Sequence, residues 1–319
     1  MAAPLLETIR QGCARVAARA RHVAIVSERI AEYASTLVDD FAYIDDDPAH
    51  QLVNDEETTA LFVLALDAVN FGSGWFPDLR IADRRDPYYT VADAIRRYVV
   101  KARPTSLDLA RVSRDEVTAM LGQEHNDGPA LELMGFFATA LNDLGSLLAA
   151  EYDGSALTFV DAAEGSAELL AHQLLKMPMY RDIWDYAGTP VPILKRAQIV
   201  PLDLSRALAD TRFGTFHDLD RLTICADNLL PHVLRTDGVL RYRADLATRI
   251  DRGDLIEPGS EAEVELRACA VHACELIVGE LRGRNYEVMA ADIDTVLWRR
   301  GQGEAFKATP PHRTRTVSY

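Results

Sequence analysis

Residues 221–242, RLTICADNLLPHVLRTDGVLRY, place one acid where an apolar strip meets the start of a helix. Pro231 lacks an N–H and is tolerated only in the first turn of a helix, so Asp227 falls at or near the N-terminus of a helix over 228–236. The local sequence favours an ordinary N-cap, since an Asp side chain accepts from the free amides of a first turn. The same geometry also suits chemistry. A helix N-terminus carries about half a positive charge, which keeps a half-buried carboxylate ionised. Such an anion stabilises a developing cation: two unit charges about 4 Å apart interact by roughly 4 kcal/mol at an effective dielectric near 20, or about a thousandfold in rate.

A second acid, Asp294, lies in MAADIDTVLWRRG, residues 289–301, among Ile293, Val296 and Leu297 and four residues before Trp298. It points either to solvent or into a cavity beside an indole. A carboxylate in the second setting can accept two N–H donors from a planar base edge. Asp67 and Asn70 follow the apolar run Leu61–Leu66, three apart on one helix face. Buried polar groups need partners; bracing the Gly72-Ser73-Gly74 turn is the simpler expectation, lining a cavity the other. The eight histidines form no HxH or HExxH, and neither a GxSxG nor a Walker loop occurs. No metal or cofactor is expected. Asp45-Asp46-Asp47-Pro48 reads as a solvated turn.

Helical periodicity supplies the frame. Leu6, Ile9, Cys13 and Val16 mark a first helix, favoured over an arginine-rich transit peptide because Glu7 interrupts the basic start. Leu133, Phe136, Phe137, Leu141, Leu144 and Leu148 mark a long buried one, and Gly165–Leu175 another. Ser113 with Glu116 and Ser260 with Glu263 read as capping boxes. Weak strand signals fall at Ala156–Val160 and Tyr88–Val91. The polar tail, residues 309–319, is either loose or laid on the body through Tyr319. No repeat or linker divides the chain, so a single domain over 1–319 is expected, mainly α with few short strands.

At 319 residues, 26% charged and 48% hydrophobic, the chain can bury a large core. No unbroken apolar run reaches the roughly 18 residues of a spanning segment, so a membrane partner is not expected. The net charge of −15 argues against nucleic acid as the main partner. Four cysteines without a CxxC point to reduced thiols in a cytoplasmic setting.

Seven segments in order resemble the queuosine salvage protein family, the queuosine 5′-phosphate N-glycosylase/hydrolases. They are His50 with its following loop, LDAVNF at 66–71, MYRDIWDYAGTPVPILKRAQIV at 179–200, CADNLLPHVLRTDGVLRY at 225–242, EVELRACAVHACELI at 263–277, DIDTVLW at 292–298 and PPHRTRTVSY at 310–319. The resemblance implies a helical architecture like the two-lobed helix-hairpin-helix DNA glycosylases, in which an aspartate opens a helix beside the scissile N-glycosidic bond. It shifts the reading of Asp227 from cap to catalytic residue. It implies cleavage of queuosine 5′-phosphate, or queuosine, to queuine for tRNA modification. His50, Cys225 and Asp294 match positions lining the base pocket, and Lys195 or Arg196 would meet the 5′-phosphate. Cys225 stands where animal relatives have an aromatic; Thr295 and Arg299 replace a tyrosine and an acid at the rim. These departures, with the Gly72–Gly74 insertion, suggest a bacterial branch. They leave open a nucleosidase for another nucleotide, or a helical binding protein with an inactive pocket.

Overall fold

The computed structural model describes residues 4–43, 55–81 and 87–319. His50 and the acidic run 45–47 lie outside them. Among the described residues fourteen α-helices follow one another: α1 Leu5–Ala17, α2 Ser27–Leu37, α3 Glu56–Ala68, α4 Pro87–Arg97, α5 Ser106–Leu109, α6 Arg114–Met120, α7 Gly128–Glu151, α8 Ala156–Asp161, α9 Ala167–Leu174, α10 Lys195–Ala207, α11 Leu229–Thr236, α12 Ala244–Asp251, α13 Glu261–Gly283 and α14 Ala290–Gly301. Two small antiparallel pairs join them. β1 (Val23–Ile25) pairs with β4 (Leu240–Tyr242), and β2 (Ile183–Tyr186) turns through Ala187-Gly188 into β3 (Thr189–Pro192). The fold is mainly α, as expected.

The apolar spacing of the sequence becomes buried faces. Leu6, Ile9, Cys13 and Val16 of α1 are all buried and pack on α13. In α7, Leu133, Phe137, Leu141, Leu144 and Leu148 are buried. This helix is long and apolar enough to cross a membrane, although Glu132 and Asn142-Asp143 keep it from being one unbroken apolar run. Its apolar face is spent on the core instead. α13 is buried nearly all round and touches α1, α2, α11 and α14.

Both expected strand segments are helical. In α8 the buried residues are Ala156, Phe159 and Val160, a helical spacing. Ser155 caps the helix through Thr158 N, and the Glu57 carboxylate accepts from Ala156 N at 2.6 Å and Leu157 N at 3.1 Å. That long-range cap outweighs the β preference of Thr158, Phe159 and Val160. In α4, Pro87 opens a helix that buries Val91, Ala92, Ala94 and Ile95. The box at Ser113–Glu116 forms reciprocally. The one at Ser260–Glu263 is half-formed: Ser260 accepts from Glu263 N, but the Glu263 carboxylate is buried and lies 3.6 Å from Arg267.

The tail is not loose. From His312 onward it runs extended, with His312, Thr314, Thr316, Ser318 and Tyr319 buried and Arg313 and Arg315 turned to Asp78. Its backbone passes so near Gly74 that a Cβ there would sit 2.0 Å from the Thr314 carbonyl oxygen.

Candidate active site

The main cavity, about 950 Å³, opens where α10, α11 and α14 meet the Asn70–Pro77 segment and the end of the tail. Helix α14 comes close to α11 because Gly301 has no side chain: a Cβ there would lie 2.8 Å from Leu229 Cγ. This approach turns Asp294 and Asp227 toward the same space.

Asp227 precedes α11. Its Oδ1 accepts from Leu229 N at 2.7 Å and Leu230 N at 3.2 Å, and the residue lines the cavity, partly exposed. The cap and the site are one arrangement: the helix engages one oxygen of a carboxylate that also faces the cavity. The approach strip is fixed from several sides. Thr223 and Gln198 bond each other through N–H to Oε1, 2.8 Å, and Nε2 to Oγ1, 2.9 Å. Arg267 Nε donates to the Ala226 carbonyl at 2.9 Å, and Asn228 Nδ2 to the His312 carbonyl at 3.2 Å. The Arg267 guanidinium meanwhile forks onto Asp182 at 2.8 and 2.6 Å. Burial opposes the Asp182 charge, yet Arg267, Lys195 N and the Trp184 indole hold its carboxyl below the usual range.

Asp294 Oδ2 accepts from Cys225 N at 2.5 Å. Burial, with the like charge of Asp227, pushes its pKa up to about 7, against the opposing pull of the Cys225 amide, Arg206 and Lys195. Beside it Trp298 lines the cavity, edge-on to Tyr88 and Tyr89 at 6.1 and 6.2 Å. Of the two settings for this acid, the structure takes the cavity beside an indole.

Lys195 opens α10 and is 4% exposed, with Nζ donating to Asn70 O at 3.1 Å and Oδ1 at 2.9 Å. Asn70 lines the cavity, and its Nδ2 donates to Asp67 Oδ1 at 3.3 Å. Cavity lining, not turn bracing, is therefore the role of Asn70; the 72–74 turn is held from the tail by Gly72 N to Tyr319 O and Arg313 Nε to Gly74 O. Arg196 does not reach the cavity. It is buried between Phe71 and Tyr180, centroids 4.7 and 4.4 Å away, and donates to the Ala68 and Met179 carbonyls. One residue along a helix turns the side chain by about 100°, so of the Lys-Arg pair only the lysine faces the site. Cys225 lines the cavity, and burial, then Asp294, pushes its thiol well above the ordinary value, which favours the neutral thiol. Thr295 and Arg299 are at the cavity too, with Thr295 Oγ1 accepting from Arg206 Nη2 at 2.6 Å.

Arg206 and Arg267 escaped sequence reasoning. The signal for Arg267 was an i, i+4 pair with Glu263 at the start of the long helix α13. His232 and His312 are buried structural residues; burial takes His312 down to about 3. Among the described residues no group of three or more His, Cys, Asp or Glu could hold a metal.

Residues 49–319 match the model of a family described as queuosine salvage protein. The chain belongs to that family. It is 34% identical over 269 residues to the queuosine 5′-phosphate N-glycosylase/hydrolase of Sphaerobacter thermophilus, covering 82% of each chain. With the protein of the same description from Dictyostelium discoideum the identity is 30% over 88% of this chain and 84% of the relative. With that from Bos taurus it is 31% over 73% and 71%. The resemblance drawn from the seven segments is thus borne out over most of the length.

Proposed function

We propose that this protein is a hydrolase that cleaves the N-glycosidic bond of queuosine 5′-phosphate, releasing queuine and ribose 5-phosphate, and that it does so in the cytoplasm as a single domain. The observation that carries the reading is a carboxylate at a helix start, Asp227, facing the same cavity as a second, protonatable carboxylate, Asp294.

The chemistry is demanding. A 7-deazapurine has carbon where ordinary purine glycosylases protonate a ring nitrogen, so that route to a better leaving group is closed. The base must leave while hydrogen bonds at its other edges draw off charge, and the sugar passes through an oxocarbenium-like state. Asp227 serves the sugar, as electrostatic stabiliser or as transient nucleophile; either way water supplies hydroxide to C1′ and a proton to the departing nitrogen. Asp294 holds the guanine-like edge, with Cys225 and Trp298 as walls and His50 as a further base contact. Lys195, fixed by Asn70, takes the 5′-phosphate, and Thr295 and Arg299 form the rim. The acid at a helix start is the device of helix-hairpin-helix DNA glycosylases, here on a body whose charge of −15 suits a single nucleotide.

The test is incubation with queuosine 5′-phosphate, queuosine and guanosine monophosphate, followed by chromatography for free base. Queuine from the first substrate is expected. Base from guanosine monophosphate points to a general nucleosidase, and no release from any of the three to a binding protein.

A further inference from the structure

We propose that Tyr319 is a positioning residue for Asp227, acting through Arg267. The inference rests on the glycosidase reading for its kinetic arm only. Tyr319 is 1% exposed, yet its side of the cavity wall separates that space from the buried ion pair behind it. The Arg267 guanidinium carbon lies over the Tyr319 ring, 4.4 Å from its centroid. The far edge of the same guanidinium is committed to Asp182 and its Nε to the carbonyl of Ala226, the residue before Asp227. Ring, guanidinium and Ala226 carbonyl therefore form a continuous line of contacts that ends one residue before Asp227.

The ring does two things for that line of contacts. Its face attracts the cation, which fixes the plane of the guanidinium. Its bulk keeps cavity water off the Arg267–Asp182 pair, where a low dielectric makes the pair stiff. The ring is itself pinned. His312 Nε2 lies 3.0 Å from its hydroxyl, the Glu263 carboxylate lies against it, and Gly72 N donates to its backbone carbonyl at 2.9 Å. The Tyr319 hydroxyl stays protonated, pushed up by burial and then by Glu263.

Three variants of the full chain test this. Tyr319→Phe keeps the ring and is expected to hold kcat within about threefold of the parent. Tyr319→Leu keeps apolar bulk but not the ring face, and Tyr319→Ala removes both. Each is expected to lose about a hundredfold in kcat, the scale of a misplaced catalytic group, with KM within about threefold. Unchanged kcat in the Leu variant overturns the inference, and so does a loss confined to KM, which would make Tyr319 a substrate contact. A second readout needs no substrate. The Leu229 and Leu230 amides donate to Asp227 Oδ1, and their hydrogen exchange should speed up about tenfold in Tyr319→Leu but not in Tyr319→Phe. Equal protection in all three overturns the proposal. Failure of the parent protein to release queuine counts against the glycosidase reading instead, and leaves the exchange result to decide on Tyr319. The Leu variant keeps the test intact where the Ala variant does not fold.

Discussion

A carboxylate whose oxygen already accepts two helix amides has little rotational freedom left to lose when substrate arrives. That is the condition of Asp227, held at 2.7 and 3.2 Å by Leu229 N and Leu230 N. Asparagine keeps an acceptor for those amides and is as good a cap as aspartate. Asp227→Asn is therefore expected to melt within a few degrees of the parent and to bind queuine normally. It should release queuine at least about a thousandfold more slowly, the worth of one charge at close range; near-normal release measured by chromatography refutes the role. Asp294 titrates near neutrality, which gives it a pH signature. Its anion is the form that accepts two N–H donors, so queuine affinity should fall about tenfold per pH unit below about 7, read by calorimetry. The stability sign is the reverse. A folded pKa raised above the unfolded value means the folded protein holds the proton more tightly. That contribution is present below the ordinary carboxylate range and lost as pH rises through about 7. Without ligand, Asp294→Asn should consequently gain stability over the parent at pH 8 more than at pH 5, measured by thermal melting.

At the scale of elements, the site depends on how closely α11 and α14 approach. Gly301→Val places methyl groups against Leu229, whose Cγ is 2.8 Å from even a Cβ. The branched side chain should cost about 1–3 kcal/mol and separate Asp294 from Asp227. A falling melting temperature accompanied by a lower kcat/KM on the nucleotide is the expected pair of results, and a variant with parental activity would show that the helix approach does not matter. The start of α11 was legible because Pro231 and Asp227 restrict what the backbone can do there, and α1 and α7 because one apolar face repeats over several turns. What stayed hidden was whatever depends on partners far along the chain. The Glu57 carboxylate that caps α8 stands about a hundred residues before it, and no window around Ala156–Val160 contains it. Likewise Lys195 and Arg196 are chemically similar neighbours, and only the packing of α10 decides that one meets the cavity and the other the core. The short strands β1 and β4 pair across more than two hundred residues, with three residues in each to signal it.

For the molecule as a whole, charge and burial set what can enter. A net charge of −15 repels polyanions at a distance, whereas the site proposed beside Lys195 would take a single phosphate. Excess tRNA or duplex DNA is therefore expected to leave the rate of queuine release unchanged at moderate salt. Competitive inhibition by either would reveal a polynucleotide surface that the composition argues against. The cavity wall is also assembled from distant parts of the chain, with Asn70, Lys195, Asp227, Asp294 and Tyr319 all contributing to it.

The extended run from His312 to Tyr319 has a bearing on how the protein is made. It threads between Gly74 and the 225–228 strip and closes the back of the cavity, yet a ribosome reaches it after every other part of that wall has been synthesised. Until those residues leave the exit tunnel, the emerging polypeptide has its two acids but no seal behind them. Hydrolytic competence should therefore appear only once this run has emerged, and partial products ending before residue 310 should be inert towards the nucleotide.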